Sequence, residues 1–168
     1  MEPTTLDYEE LKQEIIQQLE KSRFGVLATA EGNFVTARQM MLICDGLKVS
    51  LLTTNWNRKY KQISANKNVA LAINNIQIEG VASIKGRTSD PENAGFLKAF
   101  EELFPELYKL YRDFCNEPDT IYHVIEVIPT RIALFYGGPE VHLDVLNVGE
   151  NSAIRHNWTL GKAGNPNY

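Results

Sequence analysis

Several polar and cationic side chains come directly after a strand-like run, LKVSLLTT, which ends at Thr53 and Thr54. Three cations follow within a few residues: Arg58, Lys59 and Lys61. Residues 57–66 are predicted to form a short helix, so Arg58 and Lys59 fall in its first turn. Free backbone N–H groups and the positive end of the helix dipole favour an anion there. The pattern therefore indicates a site for a phosphate monoester.

One more cation, Arg38, lies in the preceding run FVTARQMMLI. If this strand pairs with the next one across the turn CDG, Arg38 lies near Thr53 and adds a third cation to the same pocket. Two plainer interpretations stay open. The helix cations are also typical of a solvated helix face, to which Lys61 is assigned, and Arg38 could instead pair with Glu31 or Glu79.

The composition limits the classes of function. The chain has 168 residues, of which 43% are hydrophobic, enough for one domain with a core and a further apolar surface for a partner. The net charge of −4 argues against a nucleic-acid partner, because a phosphate polymer would be repelled, so any anion site is local. No stretch reaches the ~20 apolar residues of a membrane span, and the N-terminus does not resemble a signal peptide. We expect a cytoplasmic protein with no membrane partner.

The cysteines and histidines form no recognisable motif. Cys44 and Cys115 lack CxxC spacing and are expected to be small core residues. The three histidines lie far apart, without the spacing of a metal site. We therefore expect no metal.

The hydrophobic pattern divides the chain into strands and helices. Residues 7–21 are predicted to form a helix that begins near Asp7. Three runs follow, FGVLATA, FVTARQMMLI and LKVSLLTT, and the short turns between them predict an antiparallel meander. After the helix at 57–66, two further strands are predicted at VALAINN and IQIEGVASIKGR. Turns this short leave no room for crossovers, so the pattern favours a β-barrel with flanking helices.

The second half continues with a helix and a long strand. Residues 90–115 are predicted to form a helical insertion that is kinked or restarted at Pro105. The strand IYHVIEVIPTRIALFY follows and is expected to be interrupted at Pro129. GGPEVHLDVLNV can add a hairpin, and the C-terminal HNWTLGKAGNPNY is predicted to be an extended tail. The barrel is assigned to residues 24–88 and 121–146 of a single domain, 1–168.

The order of these elements resembles the flavin-binding split barrels related to pyridoxamine 5′-phosphate oxidase. The resemblance covers roughly residues 8–88 and rests on three segments in the family's order and spacing: ATAEGNFVTARQMMLI, TTN with RK and QI..N..VAL, and NIQIEG. It implies a six-stranded antiparallel split β-barrel that binds FMN as a homodimer, with the flavin at the two-fold interface. No GxGxxG follows a strand, so a Rossmann dinucleotide site has no support.

The resemblance also implies roles for the matched positions. Arg38 and the three residues after it would run beside the ribityl chain and ring. Thr53 and Thr54 would face the flavin, and Arg58 with Lys59 would hold its phosphate. With Trp158 of the C-terminal tail added as a further candidate, the predicted cofactor-binding set is Arg38, Gln39, Met40, Met41, Thr53, Thr54, Arg58, Lys59, Asn75 and Trp158. Asn75 stands where the family often has a glutamine beside the ring, although it is equally a turn residue, and the methionines are equally plain strand residues.

The C-terminus departs from the family's oxidase. The Trp-Arg signature for pyridoxamine phosphate is not found, and Arg155 and Trp158 stand in a different setting, from which they could cover the open face of the flavin. The resemblance therefore implies an FMN-dependent oxidoreductase for an unidentified small molecule, with NADH or NADPH as candidate donor. Because a flavin performs the transfer itself, no nucleophile set is required, and the catalytic residues stay unassigned.

The alternative is a non-catalytic stress-response module of the same fold that binds flavin or haem. In that case the haem-ligand candidates would be His123, His142 and His156.

Overall fold

The computed structural model describes residues 2–138 and 140–158, which contain ten strands and four α-helices. The strands are β1 Thr4–Thr5, β2 Phe24–Glu31, β3 Phe34–Met41, β4 Ile43–Asp45, β5 Lys48–Thr54, β6 Asn68–Ile73, β7 Ile76–Arg87, β8 Tyr122–Tyr136, β9 Val141–Asn147 and β10 Ser152–Trp158. The helices are α1 Tyr8–Lys21, α2 Arg58–Ala65, α3 Ala94–Leu103 and α4 Pro105–Asn116. The predicted class, mainly antiparallel β with flanking helices, is confirmed. The described residues contain ten strands where six were predicted, and the four additional ones are the short or C-terminal strands β1, β4, β9 and β10.

The sheet is antiparallel throughout and branches at β8. Its main path runs β1-β10-β9-β8-β7-β6-β2-β3, and β5 pairs with both β4 and β8. Along one edge of β8, residues 122–127 pair with β5 and residues 131–136 pair with β9. Pro129 lies between these two pairings, where its missing N–H group costs no ladder hydrogen bond. The split of the barrel therefore lies at Pro129.

The predicted interruption of the long strand at Pro129 is wrong. Strand β8 continues through it and absorbs the irregularity as a bulge, because Glu79 pairs with Arg131 while Gly80 pairs with Pro129. A Cβ atom on Gly80 would lie 2.7 Å from the carbonyl oxygen of Ile128. The absence of a side chain at Gly80 is what lets the two strands approach at the bulge.

The predicted three-stranded meander is only partly correct. Strands β2 and β3 form a hairpin, but β5 pairs with β8 instead of β3. The β3 ladder ends because the chain turns at Leu42, whose side chain is fully buried and whose N–H donates to Arg23 O at 2.9 Å. As a result Thr53 pairs with His123, and the predicted pairing of Arg38 toward Thr53 is not formed.

The helices begin and end close to their predicted positions. Asp7 caps α1 by accepting a hydrogen bond from Glu10 N at 2.9 Å, and the apolar face of α1 packs into the barrel core. The helical insertion ends at Leu103 and restarts at Pro105, as predicted. The sheet extends beyond the predicted barrel, because the start of the expected tail lies in β10, paired with β9. The remainder of that tail, residues 159–168, lies outside the described residues.

Candidate functional site

The site begins where β5 passes into α2. Asn57 stands at the N-cap position, but its amide Nδ2 donates to Thr54 Oγ1 at 2.6 Å instead of capping the helix. The first turn of α2 therefore has no side-chain acceptor, and it carries the two cations Arg58 and Lys59 with no acidic residue. Cations at this end oppose the helix dipole, which makes the turn suited to an anion and unfavourable without one.

Arg38 lies on the side of the sheet that α2 covers. Its Nη1 donates to Thr29 Oγ1 at 2.7 Å and to Leu27 O at 3.1 Å. Its Nη2 donates to Thr36 Oγ1 and, at 3.4 Å, to Gln62 Oε1 of α2. All four acceptors are neutral, so the guanidinium is positioned without losing its charge.

Arg58 and Lys59 each lie within electrostatic range of Arg38. Burial and the neighbouring Arg58 lower the pKa of Arg38, while burial and the neighbouring Arg38 lower the pKa of Lys59. Within the described part of the chain, none of these three side chains takes part in an ion pair. Arg38 is thus repelled by two neighbouring cations, and the natural complement of the three is an anion with more than one charge.

Neither carboxylate that could have paired with Arg38 does so. Glu79 accepts from Arg131 Nη1 at 2.8 Å, and Glu31 is exposed at the end of β2. The alternative of an ion-paired Arg38 is therefore wrong.

Arg58 has an aromatic neighbour. Its guanidinium is placed 5.7 Å from the ring centre of Phe34, an exposed residue at the start of β3.

The other predicted residues of this half are close to the cluster in sequence but differ in exposure. Thr53 and Thr54 are buried at the end of β5. On β3, Met40 is buried and pairs with Gly25, Met41 is half-buried, and Gln39 is exposed on the opposite face and pairs with Val26. Whether these residues contact a cofactor stays a prediction.

Asn75 and Trp158 lie on the other face of the sheet. They line a groove of about 1050 Å³, here called the outer groove, with Ala72, Gln77, Ala133 and Phe135. Leu71, Leu27 and Arg38 pair across three neighbouring strands, so their side chains lie on the same face of the sheet. Ala72, the next residue after Leu71, lies on the other face, and the groove therefore faces away from Arg38. Asn75 also lies in the two-residue turn that follows Ile73, about three residues or ~10 Å along the strand from the level of Leu71. One chain therefore does not bring Asn75 or Trp158 to the cation cluster.

Both groove residues have contacts of their own. Asn75 Nδ2 donates to Phe135 O at 2.8 Å, and the ring centres of Trp158 and Phe135 are 6.4 Å apart. Arg155 is engaged in a bidentate pair with the buried carboxylate of Asp144, with both N–O distances at 2.7 Å. This pair raises the pKa of Arg155 and ties β10 to β9.

Three residues of the site were not predicted: Thr29, Thr36 and Gln62. Gln62 Oε1 accepts hydrogen bonds from the hydroxyls of Thr29 at 2.6 Å and Thr36 at 2.8 Å, in addition to Arg38. One feature of the sequence points to Gln62. Helical spacing places it beside Ile63 on the buried side of α2, where a polar side chain needs hydrogen-bond partners.

The described residues contain no group of three or more His, Cys, Asp or Glu side chains arranged to hold a metal ion. None of the helices described for this chain is both long and apolar enough to cross a bilayer.

Comparison with known proteins supports the fold. No protein-family model and no curated protein matches the sequence. A pyridoxamine 5′-phosphate oxidase-related, FMN-binding protein from Nostoc punctiforme matches at 12% identity over 90% of this chain and 95% of its own, with a TM-score of 0.59. General stress protein 26 from Bacillus anthracis matches at 22% identity over 73% of this chain and 92% of its own, with a TM-score of 0.57.

A third similar structure is that of a protein named for haem and not for FMN. The haem storage protein HutZ from Vibrio cholerae is 15% identical over 71% of this chain and 89% of its own, with a TM-score of 0.57. Identities this low establish the fold alone, and proteins with different ligands share it. The resemblance predicted from the sequence is thus confirmed at the level of architecture: the chain has the fold of the pyridoxamine 5′-phosphate oxidase-like split barrels.

Proposed function

We propose that the protein is a cytoplasmic flavoprotein that binds FMN, with the phosphate at Arg38, Arg58 and Lys59. The observation that carries the proposal is the placement of Arg58 and Lys59 near Arg38, without a carboxylate partner among the described residues, at an uncapped helix N-terminus. A phosphate monoester with nearly two negative charges and three acceptor oxygens complements that arrangement. The fold neighbours include a protein described as FMN-binding, which supports the same ligand.

We further propose that the flavin lies between two copies of the chain. Arg38 and the outer groove are on opposite faces of one sheet, so Asn75 and Trp158 could reach a flavin held by Arg38 only from a second copy. The outer face also carries exposed apolar side chains, among them Val81 and Ile128, which pair across β7 and β8 and are 40% and 47% exposed. Apolar side chains clustered in this way are typical of a protein–protein interface.

The proposed reaction is an oxidation–reduction of a small molecule, with NADH or NADPH as electron donor. When bound, the flavin would supply the hydride or electron transfer. The residues of this chain would hold the phosphate, orient the ring and exclude water, and none of them is assigned a catalytic role.

The absorption spectrum of the purified protein, followed by titration with FMN, tests the cofactor. A flavin band, and FMN binding tighter than riboflavin binding, is the expected result, because riboflavin lacks the phosphate. Anaerobic mixing with NADH or NADPH should then bleach the band. A flavin that neither nucleotide reduces would favour the non-catalytic module. A haem band without flavin affinity would reject FMN and direct attention to the buried His123, whose Nδ1 lies 3.0 Å from Ile121 O, leaving Nε2 as a possible ligand.

The oligomer is tested separately by light scattering at micromolar concentration. The wild type should have the mass of a dimer, and Ile128→Glu should have that of a monomer, because the new carboxylate would be buried without a partner. Leu110→Glu, which changes a 70% exposed apolar residue on α4, is the matched control and should stay dimeric. A monomeric wild type would reject the interface.

A further inference from the structure

The side-chain hydrogen bonds around Arg38 meet at one atom, Gln62 Oε1, while one further bond from Arg38 goes to the backbone oxygen of Leu27. The side chain of Gln62 is almost fully buried, and its oxygen accepts from two threonine hydroxyls and from Arg38 Nη2. Because the guanidinium of Arg38 can only donate, the amide presents its oxygen to Arg38, and the two threonine hydroxyls then donate to the same oxygen. The carboxamide is therefore locked in one of its two orientations.

The same bonds orient the threonines. Each hydroxyl has a single hydrogen, and Thr29 and Thr36 both direct it at Gln62. Their lone pairs are left to accept from the guanidinium, Thr29 from Nη1 and Thr36 from Nη2. Gln62 thus acts on Arg38 directly and through both threonines.

We propose that Gln62 is a positioning residue of the anion site, which orients Arg38 while leaving its positive charge available to the ligand. This inference rests on the proposed function, because it assigns Arg38 to a phosphate. A glutamate at the same place would have the same shape and could accept the same hydrogen bonds, but it would form a buried ion pair with Arg38. The neutral amide is what leaves three cationic charges for the ligand.

The substitution Gln62→Glu separates charge from geometry. It preserves the acceptor for Thr29, Thr36 and Arg38 while cancelling one charge of the cluster. FMN affinity should fall roughly 10- to 100-fold, the effect of losing one charge-assisted contact to a phosphate. Riboflavin affinity should stay within about twofold, because riboflavin has no phosphate to respond to the charge.

The experiment measures dissociation constants for FMN and riboflavin by fluorescence titration, with thermal unfolding as a check of the fold. Gln17→Glu is the matched control, because Gln17 is exposed on α1 and the substitution changes the net charge equally. Gln62→Met removes the acceptor without adding charge, and it should also reduce the preference for FMN over riboflavin because Arg38 loses its orientation. Inorganic phosphate, as a probe of the anion site alone, should raise the melting temperature of the wild type more than that of Gln62→Glu.

The outcomes distinguish this inference from the proposed function. Gln62→Glu that retains the wild-type preference for FMN over riboflavin, or that weakens both flavins equally, overturns the role of Gln62 while FMN binding stands. A wild type that responds to inorganic phosphate through Gln62 but binds no flavin retains the inference and rejects FMN as ligand. A wild type with no response to phosphate and no preference for FMN rejects both.

Discussion

Lys59→Met should stabilise the ligand-free protein and weaken its binding of FMN. Lys59 stands in the first turn of α2, against the helix dipole, and burial, with a smaller contribution from the charge of Arg38, lowers its pKa. A cation opposing the dipole costs about 0.3–1 kcal/mol, and repulsion between like charges adds ~0.2–0.5 kcal/mol. Methionine removes both terms and retains much of the apolar stem. We expect a gain of about 1 kcal/mol in the free energy of unfolding, or ~2–4 °C in Tm for a chain of this size.

The same substitution removes a charged contact to the phosphate. Its loss should cost about 1.5–3 kcal/mol of binding free energy, or ~10- to 100-fold in Kd. The stability gain also has a definite pH dependence. Because the pKa of Lys59 is lower in the folded protein than its ordinary value of 10.5, the penalty is complete below the folded-state pKa and disappears above 10.5. The gain from Lys59→Met should therefore shrink as the pH rises through that window.

The assay combines thermal unfolding without ligand and titration with FMN. Lys61→Met is the matched control, because Lys61 is exposed on the same helix and should affect neither quantity by more than a few tenths of a kcal/mol. If Lys59→Met is less stable than the wild type without ligand, Lys59 is not destabilising there; if it binds FMN with unchanged affinity, Lys59 does not contact the phosphate.

Three further experiments test structural features around the site: the Arg155–Asp144 ion pair, the bulge at Gly80 and the burial of Cys44. Arg155→Met should cost about 3 kcal/mol of unfolding free energy because it leaves the buried carboxylate of Asp144 unpaired, and the double variant with Asp144→Leu should recover most of that loss in denaturant titrations. Gly80→Ala should lower the free energy of unfolding by at least ~2 kcal/mol, since its Cβ would meet the backbone of Ile128. Gly95→Ala in α3, where a Cβ has open space, is the control and should be neutral or stabilising. Equal effects of the two substitutions in thermal unfolding would contradict the bulge geometry. Burial raises the pKa of Cys44 to about 11, so alkylation of its thiol at pH 8 should be ~100-fold slower in the native protein than in denaturant, and a native rate near that of free cysteine would contradict this burial.

Local sequence patterns predict most of the helices and strands and the location of Arg58 and Lys59 at a helix start. Helical spacing and the cap at Asp7 predict α1, the runs VALAINN and IQIEGVASIKGR predict β6 and β7, and Pro105 predicts the break in the helical insertion. Periodicity, capping and turn chemistry act over a few residues, so a single sequence contains them. The placement of Arg58 and Lys59 at a helix start is likewise a local property.

The pairing of the strands and the surroundings of Arg38 are visible in the folded chain alone. The choice of β8 over β3 as the partner of β5, and the passage of β8 through Pro129, depend on ladders between residues far apart in the chain, which short-range patterns do not encode. The neutral acceptors of Arg38 lie on β2, β3 and α2. No single segment of the sequence therefore reveals that Arg38 is held by an amide and hydroxyls and not by a carboxylate. The position of Asn75 and Trp158 on the opposite face follows from strand register, because a shift of one residue would move every side chain to the other face.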